Sequence, residues 1–129
     1  MTSRRQVLLS AAVLALTAVA PAEAFEIQPY DEAVADKAIA SGKPVIVHVY
    51  AYWCLQCHMQ KSILENLKTD KTYDHVQFFR VDYTEQKDVV AKLNCPRSTV
   101  IAYKGGKEVS RMSWGTTEDS VVNVLKAAL

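Results

Sequence analysis

Val45-Ile46-Val47-His48-Val49-Tyr50 is an apolar, β-branched run broken by one histidine, and it leads straight into Ala51-Tyr52-Trp53-Cys54-Leu55-Gln56-Cys57-His58. A run this short and this rich in valine predicts a strand buried on both faces. The residues that follow favour helix, so the cysteine pair falls at the exit of a buried strand and on the first turn of a helix. Unpaired helix N–H groups and the helix dipole stabilise negative sulfur there. Three chemistries suit such a dithiol: disulfide exchange, haem attachment and metal binding.

The flanking pattern alternates between strand and helix. Phe25-Glu26-Ile27 predicts a short strand, and Asp31 to Ala40 predicts an amphipathic helix capped by Asp31 and ended by Ser41-Gly42-Lys43-Pro44. Residues 57 to 68 predict the helix after the dithiol, with Met59, Ile63, Leu64 and Leu67 on its apolar face. A polar loop from Thr69 to Asp74 precedes a buried strand over His75 to Val81. Asp82 to Thr84 turns the chain into a short helix over Glu85 to Leu93. Thr99 to Tyr103 predicts another strand, Lys104-Gly105-Gly106-Lys107 a hairpin turn, and Glu108 to Met112 the returning strand. Gly115 breaks it, and Thr116 or Thr117 caps a last helix with Val121, Val122, Leu125 and Ala128 on its apolar face. The order βαβαβαββα gives parallel strands joined by helical crossovers, closed by a hairpin and a helix. Residues 25–129 form one domain.

Residues 1–24 stand apart as a signal peptide. Arg4 and Arg5 form a positive start, Val7 to Ala20 is apolar and uncharged, and Ala22-Glu23-Ala24 is an A-x-A cleavage site before Phe25. Ser3-Arg4-Arg5-Gln6-Val7-Leu8 also resembles a twin-arginine export signal. Either route predicts an exported, periplasmic domain. Export matters because disulfides form and persist outside the cytoplasm. Three cysteines are too few for a disulfide scaffold, and Cys95 is left over beside the pair, which favours redox or metal chemistry over stapling. The formal net charge of +1 offers no basic excess for nucleic acid.

The chain resembles the thioredoxin family over nearly all of residues 27–129. Lys43-Pro44-Val45 leads into the strand, and Ala51-Tyr52-Trp53-Cys54-Leu55-Gln56-Cys57 matches A-x-W-C-x-x-C. Phe79-Arg80-Val81-Asp82 and the Thr99–Lys107 hairpin match the family's later strands. The resemblance implies a thioredoxin fold, a central mixed sheet flanked by helices. It implies a thiol–disulfide oxidoreductase without an organic cofactor, acting on protein or small-molecule disulfides and thiols. Cys54 would be the nucleophile at an exposed helix start and Cys57 the resolving thiol. Trp53, Ser98 and Thr99 would meet the substrate. A monomer is expected, and export suggests a membrane-bound electron donor.

Three residues depart from the family pattern. His48 stands where many members carry a buried aspartate, and an imidazole with an ordinary pKa of about 6.5 could relay the resolving cysteine's proton. Ser98 stands at the position of the family's cis-proline, with Pro96 two residues early. Ser98 is the expected spatial equivalent, through a trans bond, because a cis bond before serine costs about 2.5–4 kcal/mol. Cys95 falls on the same loop and is expected near the dithiol. Cys54, Cys57, Cys95 and His58 together offer soft donors for Cu(I) or Zn(II), a second function class. Cys54-Leu55-Gln56-Cys57-His58 is also a formal C-x-x-C-H haem c pattern, with His58 as axial ligand and Met59 or Met112 opposite.

Overall fold

The computed structural model describes residues 12–18 and 22–129. Arg4, Arg5 and part of the apolar stretch after them lie outside the described residues. Along the chain run β1 (Ile27–Pro29), α1 (Glu32–Ala40), β2 (Val45–Tyr50), α2 (Leu55–Asn66), β3 (Gln77–Asp82), α3 (Lys87–Leu93), β4 (Thr99–Lys104), β5 (Lys107–Ser113) and α4 (Glu118–Ala127). The expected element order holds. One 3₁₀ turn at Lys71–Tyr73 is added within the polar loop, where the Asp70 carboxylate accepts the Thr72 N–H at 2.9 Å.

The strands form one mixed sheet in the order β1-β3-β2-β4-β5. β1, β3 and β2 are parallel, while β4 and β5 continue antiparallel. β2 is therefore central, and the dithiol leaves the strand with sheet neighbours on both sides. Strand alternation sorts its residues onto two faces. Val45, Val47 and Val49 pack with Phe79, Val81 and Ile101 under Ala35 and Ala38 of α1 and Val89 of α3. Ile46 packs on the opposite face with Phe78, Val100, Leu64 of α2 and Leu125 of α4. His48 shares that second face by alternation, which aims it at α2. Phe25 joins this core by stacking on Phe78, with ring centroids 3.8 Å apart.

Local chemistry explains the element ends. Asp31 caps α1 by accepting the Val34 N–H at 3.1 Å, and Thr117 caps α4 by accepting the Ser120 N–H at 3.2 Å. Gly105 and Gly106 turn the β4–β5 hairpin with φ of 64° and 84°.

Two helix faces differ from expectation. α2 starts at Leu55, with Cys54 as its N-cap, and turns Cys57, Gln60 and Leu64 inward. Met59, expected inside, is 43% exposed, and the polar Gln60 is fully buried in its place. α4 buries Val121, Val124 and Leu125 rather than Val122. In both helices the apolar periodicity fits two adjacent rotations, and tertiary partners choose between them.

Candidate active site

The sulfurs of Cys54 and Cys57 are unbonded, so the site is in its dithiol state. Cys54 occupies the N-cap position, and its Sγ accepts the backbone N–H of Cys57 at 3.2 Å. Burial opposes the charge on Cys54, but the Cys57 thiol, the Cys57 N–H and the Arg97 guanidinium together outweigh it and hold its pKa below the ordinary thiol value. Cys57 goes the other way. Burial, then its hydrogen bond with Cys54, pushes it up to about 11. Cys54 is only 2% exposed, so it is not the open sulfur expected at a helix start. Ala51, Tyr50 and Tyr83 pack around the pair.

Arg97 gave no signal in the sequence. It lies one residue before Ser98, and its guanidinium stacks between two indoles, 4.6 Å from the Trp53 ring centre and 4.9 Å from that of Trp114. Such stacking holds an arginine in place while leaving its charge intact. Trp53 is itself fixed by a 3.3 Å hydrogen bond from its indole N–H to Thr84 Oγ1. It remains half exposed, as expected of a docking residue. Trp53, Tyr83, Thr84, Lys87, Val90 and Ala91 line a cavity of about 410 Å³ beside it.

Behind the dithiol runs a buried polar chain. The Gln60 amide donates to the carbonyls of Ser98 at 3.0 Å and Gly115 at 2.9 Å. Those two contacts orient the amide, so its oxygen accepts from His48 Nε2 at 3.0 Å. His48 Nδ1 is then the acceptor for Arg80 Nε at 3.3 Å. Every link has one donor and one acceptor, which defines a neutral imidazole. Burial first, then the Arg80 charge, lowers the His48 pKa to about 3. The proton-relay role expected for His48 does not fit this arrangement. Both nitrogens are committed away from Cys57, and the ring holds no extra proton near neutral pH.

Ser98 does sit at the dithiol, fully buried, and no peptide bond among the described residues is cis. Its φ of 62° lies in the left-handed region, at a cost of about 1 kcal/mol for a residue with a side chain. Three hydrogen bonds offset this. Its N–H donates to Val49 O at 2.9 Å, and its carbonyl accepts from Gln60 and, at 2.8 Å, from Trp114 N–H. The Ser98 hydroxyl is buried with no hydrogen-bond partner, and it counters a small part of the upward shift of Cys57. The expected substrate contacts from Ser98 and Thr99 are corrected by their burial. Thr99 is fully buried, and its hydroxyl ties the loop to Pro96 O and Ser113 Oγ, both at 2.8 Å. These residues shape the floor of the site, and Trp53, Arg97 and Trp114 form its rim.

Cys95 and His58 lie away from the sulfurs. Cys95 packs with the core on the opposite side of the sheet, near Tyr103 and Leu93, and burial raises its pKa. His58 is exposed on the outer face beside Tyr50, donating to Tyr52 O at 2.5 Å and accepting from the Tyr50 hydroxyl at 3.2 Å. Cys54, Cys57, Cys95 and His58 therefore do not converge. Among the described residues no group of three or more His, Cys, Asp or Glu is disposed to hold a metal ion. The haem pattern fits no better. Cys57 is fully buried, so a thioether on it would require opening the core. Met112 Sδ already accepts the Gly115 N–H at 3.0 Å.

Comparison with known proteins agrees with this geometry. The thioredoxin family model matches residues 23–127. Thioredoxin-2 of Saccharomyces cerevisiae is 40% identical over 79 residues, which cover 60% of this chain and 74% of the yeast protein. Among solved structures, Trxlp from Edwardsiella tarda superposes with a TM-score of 0.73 at 33% identity, covering 78% of this chain and 98% of its own. Fasciola hepatica thioredoxin gives a TM-score of 0.69 at 26% identity, covering 80% of this chain and 100% of its own. The match runs from before the first buried aromatic to the last turn of α4, with the Cys54–Cys57 pair at the strand–helix junction. The chain belongs to the thioredoxin family of thiol–disulfide oxidoreductases.

Proposed function

We propose that Cys54 attacks the disulfide of a partner and that Cys57 resolves the mixed disulfide, in a domain exported to the periplasm. The opposite tuning of the two thiols supports this division most directly. Cys54, with its pKa lowered, is the better nucleophile near neutral pH, while Cys57, pushed up to about 11, stays protonated until it is needed. In the first step the Cys54 thiolate bonds to one partner sulfur and the other leaves as thiolate. In the second, Cys57 sulfur bonds to Cys54 sulfur, the partner's remaining sulfur departs, and that thiolate takes the Cys57 proton. The two electrons of the dithiol end on the partner. Protein and small-molecule disulfides both suit this chemistry. One chain suffices, because both sulfurs come from one strand–helix junction.

The division of roles is tested with Cys57→Ser. A mixed disulfide on Cys54 should accumulate with a model peptide disulfide, seen as a mass increase that a reductant reverses. Turnover equal to wild type would sink it.

Export rests on Arg4, Arg5 and the Ala22-Glu23-Ala24 site. Phe25 is the first buried residue among those described, and cleavage before it removes only the half-buried Ala24 from the described core packing. A membrane-bound donor would then supply electrons across the membrane. N-terminal sequencing of the protein from fractionated cells should read Phe25 first in the periplasmic fraction. A chain that keeps residues 1–24 in the cytoplasm would overturn export.

A further inference from the structure

We propose that Arg97 is a carboxylate-recognition residue, selecting partners that carry a carboxylate next to the sulfur that Cys54 attacks. The inference rests on Cys54 being the attacking thiol. It starts from an unbalanced charge. Arg97 makes no ion pair with any carboxylate among the described residues. Its Nε is buried and meets no acceptor. The guanidinium cannot swing away to find one, because it lies between the faces of Trp53 and Trp114. The backbone adds to this fixity. Ser98 and Trp114 both hold positive φ, 62° and 69°, and the Trp114 N–H donates to Ser98 O at 2.8 Å.

In the dithiol state the Cys54 thiolate, next in the chain to the Trp53 on which Arg97 stacks, is an anion that this cation stabilises. Attack on a disulfide removes that anion. The negative charge passes to the leaving sulfur, and Cys54 becomes one half of a neutral S–S bond. Arg97 is then a fixed, partly desolvated cation beside the new bond with no counter-charge. A planar carboxylate on the partner, one residue from its cysteine, restores the balance and matches the fork of guanidinium N–H groups. Lysine would not serve as well, since an ammonium is not held flat between two indoles. The recognition is strongest in the mixed disulfide and the transition states that flank it, so it raises the rate of exchange as well as binding.

The test uses two peptide disulfides that differ only in Glu or Gln beside the cysteine, with kcat/KM for reduction measured in wild type, Arg97→Gln and Arg97→Lys. Wild type should prefer the Glu peptide by about five- to tenfold at low salt, the size expected of one charge pair at a half-exposed rim, and the preference should shrink as salt rises. Arg97→Gln should bring the ratio to about one, and Arg97→Lys should leave an intermediate ratio. Any general effect of Arg97 on Cys54 reactivity acts on both peptides and cancels in the ratio. A second pair, a small dicarboxylate disulfide and its diamide, separates sources. Preference in this pair alone assigns the carboxylate to a small-molecule partner, and preference in the peptide pair assigns it to a protein. A ratio near one for wild type in both pairs, or a ratio that survives in Arg97→Gln, overturns the role of Arg97 while leaving Cys54 as nucleophile. Failure of wild type to reduce any of the four disulfides overturns the nucleophile assignment and this inference with it.

Discussion

Cys54→Ser should lose at least about a thousandfold of disulfide-reduction activity while keeping its fold. The loss follows from chemistry, because a hydroxyl at this position does not ionise near neutral pH and forms no bond to a partner sulfur. The fold should survive because the replaced sulfur caps α2, accepting the Cys57 N–H at 3.2 Å, and serine is among the best N-cap residues. Reduction of a model peptide disulfide reads the first effect and thermal unfolding the second. Activity within tenfold of wild type would remove Cys54 from the chemistry. The same sulfur carries a pH signature. Its pKa is held below the ordinary thiol value against the opposing effect of burial, chiefly by the Cys57 thiol and N–H and then by Arg97. Alkylation of Cys54 should therefore level off at lower pH than for a free thiol, and Arg97→Gln should move the midpoint upward.

Gln60→Ala should destabilise the domain by about 3 kcal/mol, enough to lower its melting temperature by roughly 10–20 °C. Truncating this fully buried amide leaves a cavity, and the His48 Nε2–H and Gly115 carbonyl lose the hydrogen bonds it made. The rim should suffer as well, since the same amide holds Ser98 O at 3.0 Å. A loss under about 1 kcal/mol would mean that the buried chain contributes little. Acid probes the other end of the chain. His48 is lowered to about 3 in the fold from an ordinary value of 6.5. Between these values the unfolded chain binds a proton that the folded chain does not. The stability contributed by the neutral ring is thus complete above pH 6.5 and is lost as pH falls below it, by up to about 1.4 kcal/mol per pH unit. His48→Gln should lack this component of acid sensitivity in unfolding curves taken from pH 7 to about pH 4. A variant as acid-sensitive as wild type would show that His48 is not the group responsible.

The parts of the site that were legible in the sequence are those written locally. The β-branched run, the cysteine spacing, the Gly-Gly hairpin and the Asp31 and Thr117 caps each depend on neighbours a few residues away, and each sits where expected. Met59 is expected on the buried face and Gln60 takes its place, because the apolar residues of α2 fit two rotations and the contacts with His48, Ser98 and Gly115 make burial of an amide acceptable. The proton-relay role for His48 failed for a related reason. One strand position suggests a titrating ring, but Arg80 across the sheet and Gln60 across the helix interface take both nitrogens. Thr99 was assigned to the substrate surface from its place beside Ser98, and the β5 hydroxyl of Ser113 turns it inward.

The sequence by itself determined that this chain would build parallel strands closed by a hairpin and deliver two cysteines to the start of a helix, because periodicity and turn chemistry act over short stretches. Tertiary structure alone decided what surrounds those cysteines. Arg97 meets Trp53 and Trp114 only when the ends of β2 and β5 and the loop before β4 converge. Gln60 reaches Ser98 across 38 residues and Gly115 across 55. Contacts at such separations leave no local trace, and yet they shape the rim a partner must meet and bring Arg97 to add to the lowering of Cys54 that Cys57 begins.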